Sequence, residues 1–341
     1  MKFSEKLIET DKRHSVFNHL ISNNKYSYAI SLIELIIEKY SNDILKNQTD
    51  KFIKEFQGQG FNGCLFEIYL YQVLLDLQND VSCNITRVED RPDFKIIFNK
   101  NQNIFIEATS LNPTQRGESK KNNIINFGDL LLEKSHNALL NKIEKYFPKK
   151  YLLSINKKLS DKLDTISYVQ GHPLIIGLHD YHEEGSLFYS RHALERVLYG
   201  IGLTENIEPI FKRKDAEGIS AILFSIEATT MKFVRMAKVL GIDKTNNNII
   251  RFGQAILLED NKNLKYKSFK INLDNPYYRE DWHEGIFLYH NPNATIPLEP
   301  KHFPRFTHVY HKRETNKLKH LTRPMQICWS CTYIQESHLC K

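Results

Sequence analysis

Residues 91–110, RPDFKIIFNKNQNIFIEATS, constrain the fold more than any other stretch, because two apolar-rich segments flank a polar NKNQ that reads as a hairpin loop. Centring that loop on Lys100 sets Phe94 against Ile106 and Ile96 against Ile104, which gives one uniformly apolar face. Side chains alternate along a strand, so the other face carries Lys95 opposite Phe105 and Asp93 opposite Glu107. Directly opposed residues have Cβ atoms about 5 Å apart, and like charges in that position destabilise the pair. A positive charge belongs between these carboxylates. A divalent cation with oxygen ligands is the economical answer, since Mg²⁺ commonly uses one or two carboxylates together with substrate phosphate.

The rest of the chain supplies helices for such a hairpin to pack against. Residues 2–23 and 26–46 read as amphipathic helices, the second with Ile30, Leu32, Ile33, Leu35, Ile36 and Ile37 on its apolar face. The polar link NQTDK and the glycines of QGQG at 57–60 interrupt the pattern. Residues 61–78 form a third helix, apolar almost all round and therefore buried on several sides. Strand candidates follow at 83–88, 92–98 and 103–109, then a polar loop at 112–123 and a helix over about 124–147. Further on come a buried strand at 173–178, a helix at 189–200 that stops at Gly200, and strands at 218–227 and 249–258. Beyond 260 the chain is strand and loop without a clear period.

This order predicts an α/β fold with a mixed sheet centred on 83–109 and 173–178. The 341 residues divide into a helical N-terminal extension (1–58), a core (59–260) and a basic strand-and-loop C-terminal region with a cysteine-rich tail (261–341).

The hairpin resembles the PD-(D/E)XK, or restriction-endonuclease-like, nuclease superfamily. Pro92-Asp93 opens one strand and Glu107-Ala108-Thr109 closes the next, where the family has an acid, any residue and then Lys. The resemblance implies a restriction-endonuclease-like fold over roughly residues 61–110, completed by 173–200. It implies Mg²⁺ (or Mn²⁺) held by Asp93, Glu107 and the Ala108 carbonyl, and hydrolysis of phosphodiester bonds, in DNA rather than RNA. Glu67, the one acid between Cys64 and Leu75 of the third helix, matches the further acid that a preceding helix often adds.

Thr109 departs from the pattern, because a hydroxyl holds a water but supplies no positive charge and no base at neutral pH. Lys95, on the carboxylate face, and Lys120 or Lys121 are the candidates to replace the lysine. Defence of a bacterium against foreign DNA is the setting that the resemblance implies. A homodimer presenting two sites and an activating protein partner are expectations of the same kind. The competing reading is a catalytically inactive nucleic-acid-binding or scaffold protein that keeps the fold. In that reading Asp93 and Glu107 are strand-end acids paired with Arg91 or Lys95, Glu67 meets a buried arginine, and Lys95 is a solvated lysine.

Charge adds a partner. The formal net charge is +7, and it is local. Residues 142–164 carry seven lysines against three acids, and 301–324 carry seven Lys or Arg and four His against one acid, with Phe303, Phe306 and Tyr310 interleaved. Cations with aromatic surfaces suit a phosphate backbone and its bases, although basic runs are usually only solvated faces. The tail offers Cys328, Cys331, His338 and Cys340 as a zinc set, with tighter spacing than most zinc knuckles. The HDYHEE run at 179–184 reads as a solvated loop rather than a metal cluster, with His179 and Asp180 lining the cleft of the hairpin site as the alternative.

The charged start suits no signal peptide, no run approaches the roughly 18 apolar residues of a membrane span, and the five cysteines suit reduced thiols. The three sequons, at Asn47, Asn84 and Asn293, are then chance matches. The expected location is the cytoplasm, with no membrane partner.

Overall fold

The computed structural model describes residues 2–5, 7–88, 91–99, 102–112, 147–182, 186–201, 208–243, 245, 247–259, 263–321 and 325–335. In chain order the helices are α1 (Ser15–Ile21), α2 (Ser27–Tyr40), α3 (Thr49–Gln57), α4 (Phe61–Leu77), α5 (Phe147–Ser160), α6 (Ser190–Tyr199) and α7 (Thr230–Val239). The strands are β1 (Asn84–Thr86), β2 (Phe94–Asn99), β3 (Gln102–Leu111), β4 (Leu174–Asp180), β5 (Ala221–Ser225), β6 (Asn248–Glu259), β7 (Asn263–Asn272), β8 (Ile286–His290), β9 (Thr307–Lys312), β10 (Lys317–Leu321) and β11 (Met325–Gln335). The fold is α/β, with a mixed eight-stranded sheet and a separate three-stranded sheet. Among the described residues no helix is long and apolar enough to cross a membrane.

The chain forms two compact units. The first comprises 1–87, 227–285 and 322–341, and the second 88–226 and 286–321. The first is built on α4, which buries Phe61, Leu65, Phe66, Ile68, Leu70, Val73 and Leu74 at 0–1% exposure, as a helix apolar on all sides requires. Beside it α2 buries Leu32, Ile33, Ile36 and Ile37, while Leu35 is exposed.

Two readings of this region are corrected. Residues 2–23 are not one helix: only Ser15–Ile21 is α-helical. The buried Gln57 amide takes the backbone groups that a helix would use, accepting from Leu7 N–H at 2.9 Å and donating to Phe3 O at 2.9 Å. The polar link NQTDK leads into α3, whose Phe52, Ile53 and Phe56 point inward at helical spacing. The three-stranded sheet of this unit is antiparallel, in the order β11-β6-β7, with a bulge between Ile327 and Trp329.

In the second unit the strands run in the order β2-β3-β4-β5-β8-β9-β10. The β2–β3 hairpin has the register expected from its apolar parity: Phe94 opposes Ile106, Lys95 opposes Phe105 and Ile96 opposes Ile104. Strands β3, β4 and β5 are parallel neighbours; β4 and β5 are buried on both faces, as such strands are, and β3 is buried over 104–107. β8 and β10 pair antiparallel to their predecessors, whereas β9 runs parallel to β8. The aperiodic stretch beyond 260 therefore contributes three strands to the large sheet.

Most of the helix expected over 124–147 lies outside the described residues. The described part of this region is a helix over Phe147–Ser160, with Pro148 within it.

Candidate functional site

The site is assembled where the hairpin meets α5. Glu107 sits in β3 opposite Ile176 of the parallel strand β4, and it is only 3% exposed. Alternation puts Phe105, Glu107 and Thr109 on one face of β3. The paired positions Ile176 and Leu178 in β4, with Ile222 and Phe224 in β5, extend that face.

Helix α5 covers this face. Tyr151 and Ile155, four residues apart, are fully buried, and Lys158 falls three residues later on the same side of the helix. The Lys158 ammonium reaches Glu107 Oε1 at 2.5 Å, with side-chain exposures of 12% and 4%. Glu107 Oε2 is buried with no hydrogen-bond partner among the described residues. A carboxylate oxygen left so is costly unless something cationic or protic reaches it.

Asp93 stands just before β2, one step past the Phe94–Ile106 pair, so the same register aims it at Glu107. Its Oδ2 accepts from the Ala108 N–H at 2.7 Å, which locks the carboxylate beside the Glu107 backbone. The sequence reading assigned Ala108 its carbonyl; the structure also engages its amide. Thr109 is half-buried on the Glu107 face. Lys95 holds its ammonium 5.9 Å from the centre of the Phe105 ring, and burial together with that charge lowers the His172 pKa. Arg91 pairs with Asp161 at 2.7 Å, not with the two acids.

Glu67 belongs to α4 of the first unit, where the Tyr40 hydroxyl donates to it. Lys120 and Lys121 lie outside the described residues. The cation that sequence reasoning missed is Lys158. Its signal was the stripe Phe147, Tyr151, Ile155, which continues onto it, but ending the helix before Pro148 hid that stripe.

On the same sheet face, at the end of β4, lies a buried polar network. Asp180 Oδ2 accepts from Tyr151 OH at 2.5 Å and from Ser190, and its Oδ1 accepts from the His182 backbone N–H at 3.0 Å and from the His182 ring. Burial alone would raise the Asp180 pKa, but the His182, Ser190 and Tyr151 donors outweigh it and hold the pKa below the ordinary value. His179 donates through Nδ1 to Ser225 O at 2.7 Å. The reading of HDYHEE as a solvated loop is therefore wrong for His179, Asp180 and His182, all at most 5% exposed, and Glu183 and Glu184 lie outside the described residues.

The basic segments divide by position. Lys149, Lys157 and Lys162 are exposed around α5, as are Lys312, Arg313, Lys317 and Lys319 around the β9–β10 turn. The aromatics of 301–324 are not free surfaces. Phe303 and Phe306 are buried against each other with centroids 5.1 Å apart, and Tyr310 stacks on His290 at 4.2 Å.

For zinc, Cys328 and Cys331 are half-buried on β11, while His338 and Cys340 lie outside the described residues. Burial, then the Glu227 charge, raises the Cys331 pKa, which works against the thiolate that zinc needs. Among the described residues no group of three or more His, Cys, Asp or Glu is placed to hold a metal. Mg²⁺ requires no such group, because it keeps several waters and binds through one or two carboxylates. The orphaned oxygen of Glu107 beside Asp93 fits that donor set. The chain matches no family, no curated protein and no solved structure in the comparisons made.

Proposed function

We propose that the protein is a metal-dependent nuclease with a restriction-endonuclease-like fold, hydrolysing phosphodiester bonds in DNA. The observation that carries this reading is the half-satisfied Glu107 carboxylate beside Asp93 on a strand hairpin. Asp93 and Glu107 would hold Mg²⁺ with the Ala108 carbonyl as a third oxygen. The bound ion would supply neutralisation of charge on the scissile phosphate.

The chain's own residues do the rest. Lys158 carries the positive charge that Thr109 lacks, and its ammonium would donate to a phosphate oxygen or to the attacking water. Thr109 orients that water through its hydroxyl. The exposed lysines around α5 track the strand electrostatically. Bacterial defence against foreign DNA is the setting that this reading implies.

Incubation of supercoiled plasmid with the protein and Mg²⁺ or Mn²⁺ tests the reading. Nicked or linear product that EDTA abolishes supports it, and cutting that persists in both Asp93→Ala and Glu107→Ala refutes the assignment. A second reading, a non-catalytic nucleic-acid binder, draws on the same ion pair, since Lys158 already neutralises Glu107. It predicts salt-sensitive DNA binding that is indifferent to Mg²⁺.

A further inference from the structure

The antiparallel sheet β11-β6-β7 of the first unit lines a cavity of about 420 Å³ together with the segment that follows β7. That volume falls within the roughly 300–1,000 Å³ typical of small-molecule sites. Its floor is apolar. Register puts Ala255 and Leu257 between Ile327 and Met325 on one side and Lys267 on the other, with Phe269 one step along β7.

At the inner end stands Arg251, every donor group of which is engaged. Nε donates to Ser330 at 3.1 Å, Nη1 to Glu284 at 2.9 Å and Tyr278 at 3.2 Å, and Nη2 to Glu227 at 3.1 Å. Glu284, the one acid among the described lining residues, is thereby neutralised.

The outer end is different. Lys267 and Arg279 are exposed, and among the described residues neither has a carboxylate partner. Arg279 is nevertheless fixed in place, because its Nη1 donates to Pro276 O at 2.8 Å and Tyr278 O at 2.7 Å. On the same lining Tyr277 is 88% exposed, and its backbone is held in a turn by Asn275, whose side chain accepts the Tyr277 N–H at 2.9 Å. An aromatic ring exposed in this way offers a flat surface for stacking.

The lining thus offers an aromatic face, an apolar floor and two uncompensated cations. A phosphomonoester carries about two negative charges at neutral pH, and a nucleobase supplies the planar, sequence-tolerant face that an aromatic side chain stacks upon. We infer that this cavity binds a free nucleoside monophosphate, with the base on Tyr277 and Phe269 and the phosphate between Lys267 and Arg279. The site lies wholly within the first unit and does not depend on the nuclease reading.

Calorimetric titration of the full chain with the four common nucleoside 5′-monophosphates, with adenosine and with inorganic phosphate is the test. At least one nucleotide should bind at least tenfold more tightly than either adenosine or phosphate. Tyr277→Ala and Lys267→Ala, both at exposed positions, should each weaken it at least fivefold, with far-ultraviolet circular dichroism unchanged. Absence of nucleotide binding overturns the inference. So does equal binding of phosphate alone, or nucleotide binding that survives the Tyr277→Ala, Lys267→Ala double variant.

Discussion

The Lys158 ammonium lies 2.5 Å from Glu107 Oε1, while the other oxygen of that carboxylate is buried and unpartnered among the described residues. One group is thus both ion-paired and half-unsatisfied. An oxygen so placed beside Asp93 is one that a bound cation could take up.

Lys158→Met separates these roles. Without its counter-ion Glu107 is a buried lone charge, so the variant should lose about 3–5 kcal/mol of stability. Added Mg²⁺ should then raise the melting temperature of the variant more than that of the parent, while plasmid cleavage is lost. Differential scanning fluorimetry with and without Mg²⁺ reads both effects, and an equal Mg²⁺ shift in the two proteins would argue against a shared site.

Asp180 gathers donors from α5, α6 and the turn after β4. Its pKa is held below the ordinary value of 3.8, so its stabilisation is complete above that value and disappears as pH falls through the folded pKa. Asp180→Asn should cost on the order of 3–5 kcal/mol at pH 7 and should show a shallower acid limb in urea denaturation. A change within 1 kcal/mol would mean that the network contributes little.

His290 sets a separate window. Its Nε2 meets His308 Nδ1 at 2.8 Å, and burial, then the His308 charge, pushes its pKa down to about 3. The unfolded chain takes up this proton near pH 6.5, so stability is full above 6.5 and declines as pH drops from 6.5 towards 3. His290→Gln should reduce that slope by up to about 1.4 kcal/mol per pH unit. An unaltered slope between pH 6 and 4 would place the proton uptake elsewhere.

The first unit contains a buried charge cluster with a measurable consequence. Lys232 Nζ donates to Glu280 at 2.6 Å, Arg235 engages both Glu280 and Glu227, and Glu280 is held well below the carboxylate range by these cations against the opposing effect of burial. Glu280→Gln leaves the Lys232 and Arg235 charges short of a partner and should destabilise the protein by about 3–5 kcal/mol. Chemical denaturation at pH 7 measures it, and a loss below 1 kcal/mol would contradict the account.

The hairpin register was legible because the period of two in Phe94, Ile96, Ile104 and Ile106 leaves a single pairing that buries all four. Helix α4 was equally plain from its apolar length. Helix α7 was not, because Lys232 and Arg235 interrupt its apolar stripe, and only their burial against Glu227 and Glu280 makes that pattern sensible. Lys158 was hidden for a related reason. Its place depends on a helix over Phe147–Ser160, and a proline at 148 reads from the sequence as a helix end. The burial of Phe303 and Phe306 shows the converse: a basic run with aromatics looks like a binding stripe until the sheet claims the rings.

The central claim is that Asp93 and Glu107 share a divalent cation. An anomalous difference map from a crystal of the protein soaked in Mn²⁺ tests it most directly. The account predicts a peak between the two carboxylates, with Lys158 drawn away from Glu107 Oε1. An empty map there, with the Lys158–Glu107 pair intact at saturating Mn²⁺, would contradict it.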